Sequence, residues 1–137
     1  MNILFVCRHN IFRSRIAEEH MKKISKGKHN ISSAGLIRFH GDMEPLQKKV
    51  CEEKGFILPN QSKSLSVEGL RNQDLVVIVA NDVPLKLLEH KGYHTIGKVR
   101  RWNIPDVETN DYTSEEVENI IKSIVDKVEK LNKELEN

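Results

Sequence analysis

Residues 6–20 read VCRHNIFRSRIAEEH. The uninterrupted apolar run Ile3 to Val6 leads into this stretch, the pattern of a strand covered on both faces as parallel strands are. Helical periodicity leaves it: Ile16, Ala17, His20, Met21 and Ile24 share one stripe, and Gly27 stands where that helix ends. A strand that gives way to a helix this abruptly begins a β–α unit. In open sheets built from such units, ligands bind beyond the carboxyl ends of the strands. Cys7 occupies such an end.

The alternation continues outward. NISSAG, residues 30–35, is short, strand-like and polar enough for a sheet edge, and Pro45, Leu46, Val50 and Gly55 outline a second helix. The polar segment Pro59 to Ser66 reads as loop, and SVEGL after it as a helical turn. DLVVIVA, Asp74 to Ala80, has five aliphatic residues in a row and is expected at the centre of the sheet. Asp82 and Pro84 open a short helix ending near Gly92, and YHTIGKV, residues 93–99, is the expected last strand. Thr113 and Glu116 have the spacing of a capping box. From there Val117, Ile120, Ile121, Ile124, Val125, Val128, Leu131 and Leu135 trace one stripe to the C-terminus. Strand, helix, repeated four times, predicts a single α/β domain over residues 1–137 with a parallel sheet, right-handed crossovers and helices on both faces.

Composition narrows the function classes. A chain of 137 residues, 38% hydrophobic and 31% charged, has the size of one domain with one core. Its formal charge of +2 does not argue for a nucleic-acid or membrane partner. Lys98, Arg100 and Arg101 form a local basic cluster, read as a solvated loop, with a polyanion-facing rim as the alternative. Two cysteines, Cys7 and Cys51, make no disulfide framework, and MNILFVC lacks the basic start and long apolar run of an export signal. A cytoplasmic protein with reduced thiols is expected. No apolar run approaches the ~18 residues of a membrane span. The six histidines show no metal-ligand spacing, so no metal or other cofactor is expected.

Between strand end and helix, Cys7 is followed by five residues and then Arg13 and Ser14. A turn there aims successive backbone N–H groups into one concavity, and the helix adds the positive end of its dipole. The result is an anion cradle. Arg13 at its rim supplies a planar fork matched to two oxygens of a phosphate-like group. The same field favours a thiolate, making Cys7 a candidate nucleophile, and the Ser14 hydroxyl is placed to donate to its sulfur. The plain alternative is a core cysteine followed by an ordinary helix-start arginine. It does not explain why the strand, the loop and the helix come in the order the chemistry requires.

These residues resemble the low-molecular-weight protein tyrosine phosphatases and their thioredoxin-coupled arsenate-reductase relatives. The resemblance covers nearly the whole chain: FVCRHNIFRSRIAEE, then ISSAGL, QSKSL, DLVVIV and WNIPD in the family's order. It implies a flavodoxin-like domain with a four-stranded parallel sheet, and phosphomonoester hydrolysis through a phosphocysteine. Cys7 would be the nucleophile, and Arg13 and the amides of Arg8, His9, Asn10, Ile11 and Phe12 would bind the phosphate. Ser14 would hold the thiolate and the Asn10 side chain would brace the loop. Three acids, Asp106, Glu108 and Asp111, follow WNIP, and chemistry alone does not choose among them. The family's general acid matches Asp106.

The chain departs from the family at several places. His9 replaces the loop's usual glycine, Arg8 an apolar residue and Phe12 a frequent second cysteine. Val107 follows the acid where proline is usual, and Glu108 and Thr109 replace the aromatic pair that lines the substrate channel. Phe39, His40 and Tyr112 are the candidates to substitute, and Ile11 the residue that could narrow the pocket. The expected partner is a phosphotyrosine protein or a small phosphomonoester, with phosphoarginine open; phosphate, vanadate and arsenate-like oxyanions are expected to inhibit, and the chain to act as a monomer. Two other readings stand beside this one. An arsenate reductase would need two further cysteines after the central strand, where this chain has VANDVPLKLLEH, and a non-catalytic oxyanion-binding module would need the acid misplaced.

Overall fold

Residues Leu75–Val79 form a strand, β3, whose every side chain is buried, beside Asn2–Cys7, β1, in which only Asn2 is not fully covered. The computed structural model describes residues 1–39, 41–89, 97–108 and 111–136. With Asn30–Gly35 (β2) and Lys98–Trp102 (β4), these strands make one sheet in the order β2-β1-β3-β4, parallel throughout. The two unbroken apolar runs take the two inner positions and the two polar ones the edges. That placement follows from burial, since inner strands are covered on both faces.

Among the described residues the helices Arg13–Ser25 (α1), Pro45–Glu53 (α2) and Val67–Arg71 (α3), with a 3₁₀ turn at Leu85–Glu89, lie between strands, and Ser114–Glu136 (α4) follows β4. One face of the sheet presents Ile3, Phe5, Leu75, Val77 and Val79 to Ile16, Ala17 and Met21 of α1 and Ile121, Ile124 and Val128 of α4. The other face presents Leu4, Val6, Val76 and Ile78 to Leu70 of α3 and to Val83 and Leu88. Helices therefore lie on both faces, as the alternation implied, but the second face has the thinner cover. The Thr113 hydroxyl oxygen accepts the Glu116 N–H at 3.2 Å, which caps α4 as its spacing predicted. Among the described residues, no helix is long and apolar enough to cross a membrane.

The last strand is displaced from its expected position. Residues 93–99 were expected to form it, yet β4 runs Lys98–Trp102; residues 93–96, and the Gly92 expected to end the preceding helix, lie outside the described residues. Arg100 and Arg101 belong to this edge strand and not to a solvated loop. An edge strand tolerates charge because one side of its ladder has no neighbour. Arg100 pairs with Glu134 of α4, and Arg101 donates to the Asn81 carbonyl at 3.1 Å. Such local pairing leaves no hydrophobic signature to read.

Candidate active site

Cys7 ends β1, 3% exposed, beside Gly35 at the end of β2. The chain then turns tightly, because Asn10 adopts the left-handed conformation (φ 58°) that asparagine tolerates better than most residues. Gly35 lets the loop lie against β2: a Cβ there would come within 2.8 Å of the His9 carbonyl carbon. The N–H groups of Leu36 and Ile37 donate to the carbonyls of Cys7 and Arg8, at 3.0 and 2.9 Å. The Asn10 N–H points inward and donates to Cys7 Sγ at 3.3 Å. No side chain caps the start of α1. Its first N–H groups thus add to the positive field at the loop.

Behind the loop the side-chain hydrogen bonds have a fixed direction. The backbone N–H of Lys63 donates to Asn10 Oδ1 at 3.0 Å, which settles which way the amide faces, since an N–H can only donate. Asn10 Nδ2 then donates to Ser14 Oγ at 2.8 Å and to Ser33 Oγ at 2.9 Å. With their oxygens accepting, both hydroxyl protons pass onward. Ser14 donates to Cys7 Sγ at 3.0 Å and Ser33 to Glu18 Oε1 at 2.6 Å, the latter carboxylate pairing with Lys22 at 2.9 Å. Asn10 and Ser14 are fully buried, so water cannot take over these bonds.

Arg13 is 2% exposed and bound from two strand ends. Nη1 donates to the Ile104 carbonyl at 2.9 Å, and Nη2 to Asp82 Oδ1 at 2.9 Å, with Asp106 Oδ2 at 3.5 Å. Arg8 on the rim lies 3.9 Å from the other Asp82 oxygen. Asp106 is 41% exposed and accepts the Val107 N–H at 2.9 Å. Of the three acids after WNIP, Asp106 is the one paired with Arg13. Glu108 and Asp111 line the same open groove of about 510 Å³ with Pro105 and Val107. Asp82 was missed as a site residue and read only as the start of a helix. Its signal was positional, because it follows the carboxyl end of β3 as Cys7 follows that of β1.

The remaining candidates divide. His9 and Phe39 set their rings 5.4 Å apart at the rim, and Phe39 lines a groove with Arg38, Gln61 and Lys63. Phe12 is 2% exposed, its side chain packed in the core cluster. Ile11 lines a small cavity of about 60 Å³ with Arg15, Cys51 and Phe56. Tyr112 packs against the core near α2, and burial together with a hydrogen bond to Glu44 pushes its phenol up to about 12. His40 lies outside the described residues. Cys51 is 2% exposed, its thiol pushed up to about 12 by burial, with Sγ 3.8 Å from Met43 Sδ. Both cysteines are free thiols. No group of three or more histidine, cysteine or acidic side chains is placed to hold a metal ion among the described residues.

The chain and its fold are similar to known proteins. The family profile described as low molecular weight phosphotyrosine protein phosphatase matches residues 2–137. No curated protein matches the chain in sequence. Among solved structures, it is similar to a protein tyrosine phosphatase from Entamoeba histolytica, in a product state mimic, at 26% identity and TM-score 0.75 over 99% of this chain and 96% of that one. The YwlE arginine phosphatase from Geobacillus stearothermophilus is 18% identical, TM-score 0.74, over 98% and 92%. An arsenate reductase from Archaeoglobus fulgidus is 24% identical, TM-score 0.71, over 95% and 98%.

Proposed function

Since the chain belongs to the low molecular weight phosphotyrosine protein phosphatase family, we propose that it hydrolyses phosphomonoesters, phosphotyrosine foremost, through a phosphocysteine on Cys7. The observation that carries this reading is the directed bond from Ser14 to Cys7 Sγ at 3.0 Å, joined by the Asn10 N–H at 3.3 Å. Two donors on one sulfur stabilise a thiolate, and a core cysteine needs neither.

In the first step the thiolate attacks phosphorus, the ester P–O bond breaks, and the Asp106 carboxyl gives its proton to the departing oxygen. In the second step the Asp106 carboxylate takes a proton from water, the water oxygen attacks phosphorus, and the S–P bond breaks to return the thiolate. Arg13 and the loop amides hold the equatorial oxygens, where charge accumulates. Asp82 and the Ile104 carbonyl occupy part of the guanidinium and hold its plane in place. The fork is set before substrate arrives, so less ordering remains to be done on binding.

A thiol-cascade arsenate reductase finds no support at the cradle. Cys51 packs with the core cluster that holds Ile16 and Val50, whereas Cys7 belongs to the cluster on the opposite face with Val6 and Ile78. The direct test is turnover of an aryl phosphate by wild type and Cys7→Ser in the presence of a chelator. Wild type should turn over and Cys7→Ser should not, while still binding vanadate. Turnover by Cys7→Ser, or a strict need for a divalent ion, would remove the phosphocysteine route.

A further inference from the structure

Arg15 is a charged side chain only 6% exposed, next to Ser14 in sequence, and the chemistry above leaves it without a role. Burying a guanidinium is costly unless its donors are met. Here the Nη1 donors are met by backbone, at the carbonyls of Pro59 (3.0 Å) and Gln61, and Nε lies 3.9 Å from Glu18 Oε1. Both carbonyls belong to residues 59–63, a strap outside helix and strand. At its far end the strap is tied to β2, where the Gly35 N–H donates to the Lys63 carbonyl at 2.7 Å. Arg15 ties down the near end.

Between those ties the strap meets the phosphate loop twice. The Ser62 hydroxyl donates to the His9 carbonyl at 2.7 Å, and the Lys63 N–H donates to Asn10 Oδ1 at 3.0 Å. The second contact decides the orientation of the Asn10 amide, and through it the direction of the Ser14 hydroxyl. With the strap slack, the amide can turn over and offer Oδ1 to Ser14. The hydroxyl then donates to Asn10 and the sulfur loses a donor.

We propose that Arg15 is a positioning residue for the nucleophile, which holds the 59–63 strap so that the Lys63 N–H keeps Asn10 turned to direct the Ser14 hydroxyl at Cys7. The role rests on Cys7 as the nucleophile and is read without turnover. The probe is the rate of Cys7 alkylation by iodoacetamide as a function of pH, in a Cys51→Val background so that one thiol reports.

Arg15→Met should move the pH midpoint of alkylation upward by about one unit, the worth of one hydrogen bond to a charged sulfur. In a Ser14→Ala background, where that donor is already gone, the same substitution should move it no further. Thermal melting establishes that each variant is folded at the assay temperature. If Arg15→Met is not, Arg15→Lys carries the comparison: it keeps the charge, reaches one carbonyl, and should shift the midpoint by about half as much. An unchanged midpoint in a folded variant, or an equal shift with and without Ser14, overturns the proposal. Failure of the wild type to hydrolyse any phosphomonoester would overturn the proposed function and leave this measurement standing.

Discussion

At the scale of single residues, Arg13 and Asp106 meet at 3.5 Å but differ in exposure, 2% against 41%. Arg13 is buried and its fork is shared between Asp82, the Ile104 carbonyl and Asp106, so its geometry matters as well as its charge. Arg13→Lys supplies a point charge and cannot satisfy partners on two sides. We expect a loss in kcat/KM of about 10²-fold or more, close to that of Arg13→Ala, because both substitutions remove the planar fork of donors. Near-normal kcat/KM in the lysine variant would show that the fork is not used. Asp106 is 41% exposed, so water reaches its carboxyl group. Asp106→Asn should slow alkyl or tyrosyl phosphates by about 10²-fold or more and activated nitroaryl esters far less, because only the former need a proton to depart. If Glu108→Gln or Asp111→Asn shows that dependence instead, the acid lies elsewhere in the groove.

At the scale of elements, the phosphate loop depends on what β2 permits. Gly35→Ala would set a methyl 2.8 to 2.9 Å from the backbone of His9 and Asn10, with no flexible side chain able to yield. The loop must shift, and competitive inhibition by inorganic phosphate should weaken at least severalfold while the melting temperature falls only modestly. Unchanged phosphate inhibition would mean that the loop is not held by this close approach. The helix pair behind the loop is a separate matter of packing. Ile124 is fully buried between α4 and the sheet, so Ile124→Ala should cost about 2–5 kcal/mol in urea unfolding and leave kcat of the folded fraction near that of wild type. A cost under about 1 kcal/mol would mean that α4 packs loosely there.

At the scale of the whole molecule, the core resists ionisation of Cys51. Burial raises its thiol from 9.0 to about 12, so between those values the unfolded chain releases this proton and the folded chain keeps it. The stability this thiol contributes is therefore full below about pH 9 and is lost as pH rises through that window. Tyr112, raised from 10.0 to about 12 by burial and Glu44, acts in the same sense. The urea midpoint of wild type should drop more steeply above pH 9 than that of Cys51→Val, in which one of the two groups is absent. Parallel curves would place Cys51 in contact with solvent.

Period and punctuation in the sequence determined the β–α alternation, the inner places of β1 and β3 and the joint that holds Cys7, because burial on both faces demands unbroken apolar runs and a phosphate loop needs a strand before it and a helix after it. They also made Arg13 and Ser14 legible, since both stand where the helix begins after that joint, whereas Asn10 was named only through the family resemblance. Only the tertiary structure decided the rest. β4 was misplaced because an edge strand tolerates charge, so Arg100 and Arg101 concealed it. Asp82 and Asp106 reach Arg13 because parallel strands bring their carboxyl ends to one side of the sheet, a neighbourhood that no local spacing records. The strap was invisible for a further reason: its hold on Asn10 and Arg15 passes through the Lys63 N–H and the carbonyls of Pro59 and Gln61, groups that every residue, or nearly every residue, possesses. Backbone hydrogen bonds carry no letter in a sequence, and it is the fold that aims them.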